Sequence, residues 1–306
     1  MQQPIFHHYA MSPYAEKIRP AFGFKDIAWH SLEVNWVMPR PYTTPLTGGY
    51  RRIPVMQCGA DIYCDTQLIA RELELRYPEP SLLPKDANGL AHMLGSWASG
   101  SFFMAAAVVA IGGLGDKLPQ EFVADRESMP GSRFNFKKMK TMLPAMREQY
   151  RAHVAWIDEQ LADGRDWLLG NSPSWADLDA YYNCWFVRTS APGEAGPLEK
   201  YARVIAWMDR IAAVGHGRKT DISGEDALAI AREAEPQTTE ERDPDEPNGL
   251  KPGDAIQIMA DDYGTNPITG ELVSSSAQHV AIRQHNAEVG NIIIHFPRAG
   301  YIVLPT

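Results

Sequence analysis

A chain of 306 residues that is 44% hydrophobic and carries eight tryptophans is long enough for two domains with real cores and a smaller appendage. Its net charge of −9 excludes a general nucleic-acid surface, which needs clustered Lys and Arg, and disfavours anionic membranes; neither nucleic acid nor membrane is an expected partner. Three cysteines, Cys58, Cys64 and Cys184, form no CxxC, and no charged-then-apolar segment opens the chain, which together fit a reduced cytoplasm.

Residues 5–8 read as a first short strand ending near Tyr9. Ser12 followed by Pro13 is an N-cap residue and an N1 proline, so a helix is expected to start there. Pro20 removes a bond from its interior and should kink or shorten it. Residues 27–34 alternate as a second strand, and residues 35–49, with three prolines and two glycines, predict a loop over the site. Two short apolar runs, 53–56 and 62–64, flank a turn signal at 59–61 and predict a β-hairpin. Asp65 and Thr66 then open a helix carrying Leu68, Ile69, Leu73 and Leu75. Pro54 cannot donate to a ladder, so it belongs at an edge or in a special turn. A cis Ile53-Pro54 bond would leave the backbone of Ile53 free to pair with an incoming extended peptide.

Residues 79–88 are rich in turn signals and predict a domain boundary. Beyond them the reading is helical to about residue 215. The apolar run 102–111 is too short to span a bilayer and predicts a buried helix. In 134–160, Met139, Leu143, Met146, Tyr150, Val154 and Ile157 recur at three and four, with Pro144 expected to bend the helix without ending it. Lys137, Lys138, Lys140, Arg147 and Arg151 interleave with that stripe as a solvated face. Ser174-Trp175-Ala176-Asp177 is a capping box with a folding role.

Residues 235–247 hold six acidic residues, one arginine and three prolines, the composition of a solvated linker. Short strands are expected at 255–259, 271–275, 279–283, 291–296 and 301–304. So small a β module buries little core alone and should lean on the helical domain or on another subunit. His279, His285 and His295 read as scattered histidines, and no metal is expected.

Arg52-Ile53-Pro54-Val55, followed by Asp65-Thr66, Tyr77-Pro78 and Leu83-Pro84, resembles the thioredoxin-fold half of the glutathione transferases. The similarity is close over about 85 residues and looser to about residue 215. It implies an α/β plus all-α chain: a thioredoxin-like glutathione-binding domain at 1–86 and an all-helical domain at 87–220. An acidic Pro-rich linker at 221–248 and a small β module at 249–306 would follow, the module lying outside the family pattern.

Glutathione has two carboxylates, an ammonium and a thiol of pKa about 8.5. Lowering that pKa by about two units takes roughly 2.7 kcal/mol. A helix start supplies ~0.3 to 2 kcal/mol and a hydrogen bond to a charged group about 1.5 to 3 kcal/mol, so one hydroxyl at a helix N-terminus suffices. Ser12 has that position, as in serine-type members. Tyr9 is the competing donor, and a plain N-cap the remaining alternative. With no cysteine there, transferase chemistry is favoured over thiol reduction.

The resemblance implies that Asp65 takes the γ-glutamyl ammonium and Thr66 the γ-glutamyl carboxylate, with simple helix capping as the alternative role for both. The backbone of Ile53, held by Pro54, would pair with the cysteinyl unit, and Arg51 or Arg52 would meet the glycyl carboxylate. Phe102, Phe103, Met104 and the loop 35–47 are candidates for an electrophile pocket between the domains. Cys64, next to this site, reads as a buried structural thiol. The expected activity is addition of the glutathione thiolate to a small hydrophobic electrophile, in a homodimer by family analogy. The rival readings are a scaffold that kept the fold and lost the chemistry, and a glutathione-dependent ether-cleaving or dehalogenating enzyme.

Overall fold

The computed structural model describes residues 2–132 and 134–306. Its frame is one ten-stranded sheet. The strands are β1 (Ile5–His8), β2 (Ala28–Glu33), β3 (Val55–Cys58), β4 (Asp61–Cys64), β5 (Arg218–Asp221), β6 (Ala255–Ala260), β7 (Ile268–Ser275), β8 (His279–Asn286), β9 (Gly290–Pro297) and β10 (Tyr301–Pro305). Their order in space is β10-β6-β7-β8-β9-β4-β3-β1-β2-β5. Four adjacent strands, β4-β3-β1-β2, are the thioredoxin-like core: β1 runs parallel to β2 and antiparallel to β3, and β3 pairs antiparallel with β4.

The helix Pro13–Phe24 begins where Ser12 predicts it, with the Ser12 side chain accepting from the Ala15 amide. It runs past Pro20 and is not shortened. Ile18, Ala21 and Phe22 are fully buried, and Phe22 stacks on Trp29, so packing onto the sheet offsets the missing bond. The helix Thr66–Arg76 follows β4, as the hairpin-then-helix pattern implies.

The helical unit packs against this core through buried charge as well as apolar surface. Lys17 pairs with Asp179 across the junction, and Glu74, held within the core by Lys25 at 2.9 Å, accepts from the Trp175 indole of the helical unit at 3.0 Å. The Ser174–Asp177 capping box is formed, and Asp177 also accepts from the Trp207 indole at 2.9 Å. Helix Phe136–Gln160 continues through Pro144.

Four expectations are corrected. The apolar helical stretch is longer than its ten-residue apolar run: Asn88–Leu114, 27 residues, is two helices that meet at a kink where Gly100 leaves helical geometry, and by length and composition the stretch is apolar enough to cross a membrane. Here Ala105 to Ile111 are buried in the core of the helical unit.

The stretch 221–248, expected as a linker, contains the helix Gly224–Glu233. It is capped by Ser223 and buries Ala227, Leu228 and Ala231. That three-and-four spacing was masked by the surrounding acidic composition. Beyond this helix, the Gln237 amide and the Thr238 hydroxyl both donate to Asp61, at 2.7 and 2.6 Å.

The β module leans mainly on the thioredoxin-like core, and it touches the helical unit where the Thr265 amide donates to the Pro130 carbonyl at 3.2 Å and Tyr263 meets Phe134 edge-on. Its strand β9 runs parallel to β4, with Ile62 opposite Ile294, and so satisfies an edge that would otherwise carry unpaired N–H and C=O groups. A second apolar core straddles the seam, combining Tyr50, Val55 and Ile62 with Leu228, Ile282, Ile294 and Phe296.

The histidines are not scattered. Antiparallel pairing of β8 with β9 brings the His279 and His295 rings to 2.9 Å, with buried His295 also 3.1 Å from Asp61. His285 bonds Asn291 at 2.9 Å. Among the described residues no cluster of three or more metal-ligating side chains could hold a metal ion.

Burial holds the His7 imidazole down to about 4. Burial and the Arg19 charge hold His8 at about 3, and burial and His295 do the same for His279. Each is neutral when folded and takes up a proton near pH 6.5 when unfolded. Stability is therefore full above that pH and declines as pH falls toward 4. The melting temperature is expected to drop steadily between pH 7 and 4.5, and His8→Gln to flatten the slope; a flat wild-type profile would contradict the assignment. Phe296 packs against both the Tyr50 and Tyr301 rings, with centroids 5.7 and 5.6 Å away. Phe296→Ala is expected to cost about 3–5 kcal/mol in urea unfolding, where a cost below about 1 kcal/mol would mean the seam core carries little.

Candidate functional site

Two adjoining cavities open at the junction of the thioredoxin-like core, the helical unit and the C-terminal strands. They share Tyr14, Arg52, Ile53 and Tyr263. The first is also lined by Tyr50, Pro54, Asp65, Thr66 and Ser99, the second by Tyr9, Ser12, Arg40, Arg51, Phe103 and Arg126. All eight site residues read from the sequence therefore line one or other of two cavities that share a wall, together called the cleft.

Ser12 is buried at the start of its helix. Its oxygen accepts the Ala15 N–H at 3.2 Å, and among the described residues its own hydroxyl hydrogen has no acceptor. A donor at the positive end of a helix dipole suits an anion. Tyr9 lines the same cavity, its carbonyl accepting from the Ser12 amide. The Ile53-Pro54 bond is cis.

Asp65 caps the helix Thr66–Arg76 through Gln67 N–H at 2.9 Å. It does so at φ 74°, ψ 140°, a conformation that costs a non-glycine residue on the order of 1–3 kcal/mol and that clusters at ligand sites. Thr66 is buried at the first helical position.

The arginines are held by carboxylates. Arg51 pairs with Asp125 at 2.9 Å, and Asp125 also takes Arg126. Arg52 donates to the Asp262 carboxylate and the Tyr263 carbonyl, with its guanidinium 4.1 Å from the Tyr263 ring centroid. Each keeps a buried Nε–H with no partner among the described residues. Such orphaned donors are costly unless a ligand satisfies them, and two guanidinium edges suit a carboxylate. Burial, partly offset by Tyr9, holds Arg40 down to about 10, with the Arg126 and Arg51 charges acting in the same direction as burial.

The apolar wall is only partly as expected. Phe103 lines the cleft, joined by Phe122, Phe134 and Phe186 from the helical unit. Phe102 is instead fully buried against Trp97 and Tyr150, and Met104 is exposed. From the loop over the site, Arg40 reaches the cleft. The Cys64 thiol, pushed well up by burial and the Asp65 charge, is inert.

The sequence reading missed every contribution of the C-terminal strands: Asp262, Tyr263 and Tyr301. Tyr301 donates to the second Asp65 oxygen at 3.2 Å. These residues sit in turn and strand positions with no local signal of function. The long-range β4–β9 pairing brings them to the cleft.

This architecture, a thioredoxin-like core with a site at the first helix and an all-helical partner unit, has direct relatives. The chain matches the glutathione S-transferase N-terminal domain at residues 6–81 and the C-terminal domain at 131–210. A GST-like protein from Pseudomonas syringae is 32% identical, with 100% of each chain covered and a TM-score of 0.83. The chain belongs to the glutathione S-transferase family. It is also similar to FtsZ-localized protein A of Caulobacter vibrioides, 27% identical over 181 residues, 57% of this chain and 72% of that one. A glutathione S-transferase of Methylobacterium radiotolerans in complex with glutathione sulfonate shares the fold at 20% identity and a TM-score of 0.53, over 72% of this chain and 98% of that one.

The orphaned guanidinium donors generate a direct test. Arg51→Gln is expected to weaken binding of glutathione, a carboxylate-bearing peptide, about tenfold by calorimetry. An unchanged dissociation constant would mean that this edge seats no anion.

Proposed function

We propose that this protein binds glutathione in the cleft and adds its thiolate to a small hydrophobic electrophile. The observation that carries the reading is the layout of the two cavities. A hydroxyl at a helix N-terminus and guanidinium groups line one, an acidic N-cap and a helix start line the other, and Ile53 is common to both. That span matches an extended tripeptide: the γ-glutamyl ammonium at Asp65, its carboxylate at Thr66, the cysteinyl unit along Ile53 and the glycyl carboxylate at Arg51 or Arg52.

In this arrangement Ser12 donates its free hydroxyl hydrogen to the sulfur, and the Ala15 N–H bond and helix dipole reinforce that donation. The thiol proton leaves to solvent. The sulfur pair then forms the new S–C bond while the electrophile's leaving group, or its opened ring oxygen, departs with the electrons. Phe103, Phe122, Phe134 and Phe186 hold an apolar acceptor against the sulfur. The same thiolate serves ether cleavage or dehalogenation. A homodimer accompanies this reading by family analogy, and a reduced cytoplasm suits its three free cysteines.

A second reading, a partner-binding role without turnover, is favoured by the similarity to FtsZ-localized protein A. Retention on immobilised glutathione with no turnover of any reactive halide or epoxide would favour it.

Ser12→Ala is expected to leave glutathione affinity within about twofold, raise the pKa of the bound thiol and cut turnover about a hundredfold. Thiolate absorbance against pH and steady-state kinetics report both. Unchanged values would move the role to Tyr9, tested by Tyr9→Phe; turnover that survives both substitutions would contradict a hydroxyl-stabilised thiolate, whereas wild-type protein with no turnover would leave the second reading.

A further inference from the structure

The C-terminal strands do more than seal a sheet edge. Tyr50, Tyr301 and Asp65 form a chain of hydrogen bonds at the inner end of the cleft. Asp65 as a carboxylate only accepts, so the Tyr301 hydroxyl donates to it, at 3.2 Å. The Tyr301 oxygen must then accept from Tyr50, at 2.8 Å. Both tyrosines are buried, and both line the cavity that holds Asp65 and Thr66. Asp65 thus has one oxygen fixed by Gln67 N–H and the other by Tyr301. A carboxylate has about four lone-pair positions, so two remain for a ligand.

We propose that Tyr301 is a positioning residue that aims the Asp65 carboxylate at the ammonium of the γ-glutamyl unit, so that the C-terminal strands form part of the peptide-binding site. Tyr50 orients Tyr301 from behind. This rests on the glutathione reading above and adds to it a determinant in the strands beyond residue 249. Burial pushes both phenols well above their ordinary range, so each stays a donor through neutral pH.

The test separates positioning from simple structural support. Calorimetry on the full chain compares glutathione with its deaminated analogue, in which a glutaryl group replaces the γ-glutamyl unit and the ammonium alone is missing. Tyr301→Phe, which keeps the ring packed against Phe296, is expected to weaken glutathione about tenfold and the analogue by less than about twofold. Tyr50→Phe is expected to shift the same ratio in the same direction by a smaller factor, and supplies the comparison should Tyr301→Phe fold poorly. Equal loss for both ligands, or no loss for either, overturns the positioning role while leaving the glutathione reading intact. Absence of any binding heat from wild-type protein overturns the glutathione reading itself, and this inference with it.

Discussion

The structure depends on the closure of one sheet edge. In the thioredoxin-like core β4 would present a row of unpaired backbone groups; here β9 pairs with it in parallel and brings five strands to that edge, and with β5 on β2 at the other edge the four-strand core becomes a ten-strand sheet. The seam is reinforced by polar contacts, as Asp61 accepts from the Gln237 amide and the Thr238 hydroxyl and lies 3.1 Å from His295. Burial alone would raise the Asp61 carboxyl, but these bonds hold it below its ordinary range. Every functional consequence of the C-terminal strands follows, because the same register sets the turn at Asp262 and Tyr263 and the start of β10 at Tyr301 against the cleft.

The cleft has opposed electrostatic ends. Asp65 and Asp262 stand at one, and Arg40, Arg51 and Arg126 around Asp125 at the other, with Arg52 between them. A zwitterionic peptide fits such a gradient in one orientation. Pairing with Asp125 and Asp262 fixes the Arg51 and Arg52 guanidinium groups before a ligand arrives, which lowers the ordering cost of binding. The aromatic wall from the helical unit adds an apolar face beside the sulfur position, so both halves of the chain contribute to one site.

Much of this was legible in the residues. Ser12-Pro13 fixed a helix start because capping is local chemistry, and the Arg52-to-Thr66 pattern placed a hairpin and helix because alternation and turn residues are local too. The helix at Gly224–Glu233 was legible in principle from Ala227, Leu228 and Ala231, but the acidic, proline-rich sequence that follows outweighed that short periodicity. The attachment of the β module was not legible, since which edge a strand joins depends on partners more than 200 residues away. For that reason Tyr263 and Tyr301 were invisible as site residues, while Phe102, conspicuous in an apolar run, belongs to the core.

The account rests on an extended tripeptide spanning both cavities, and crystallography of the full chain with millimolar glutathione tests it most directly. It predicts density with the ammonium on Asp65, the cysteinyl backbone along Ile53 and the sulfur within hydrogen-bond reach of Ser12. A peptide bound elsewhere, or a cleft that stays empty at that concentration, would contradict it.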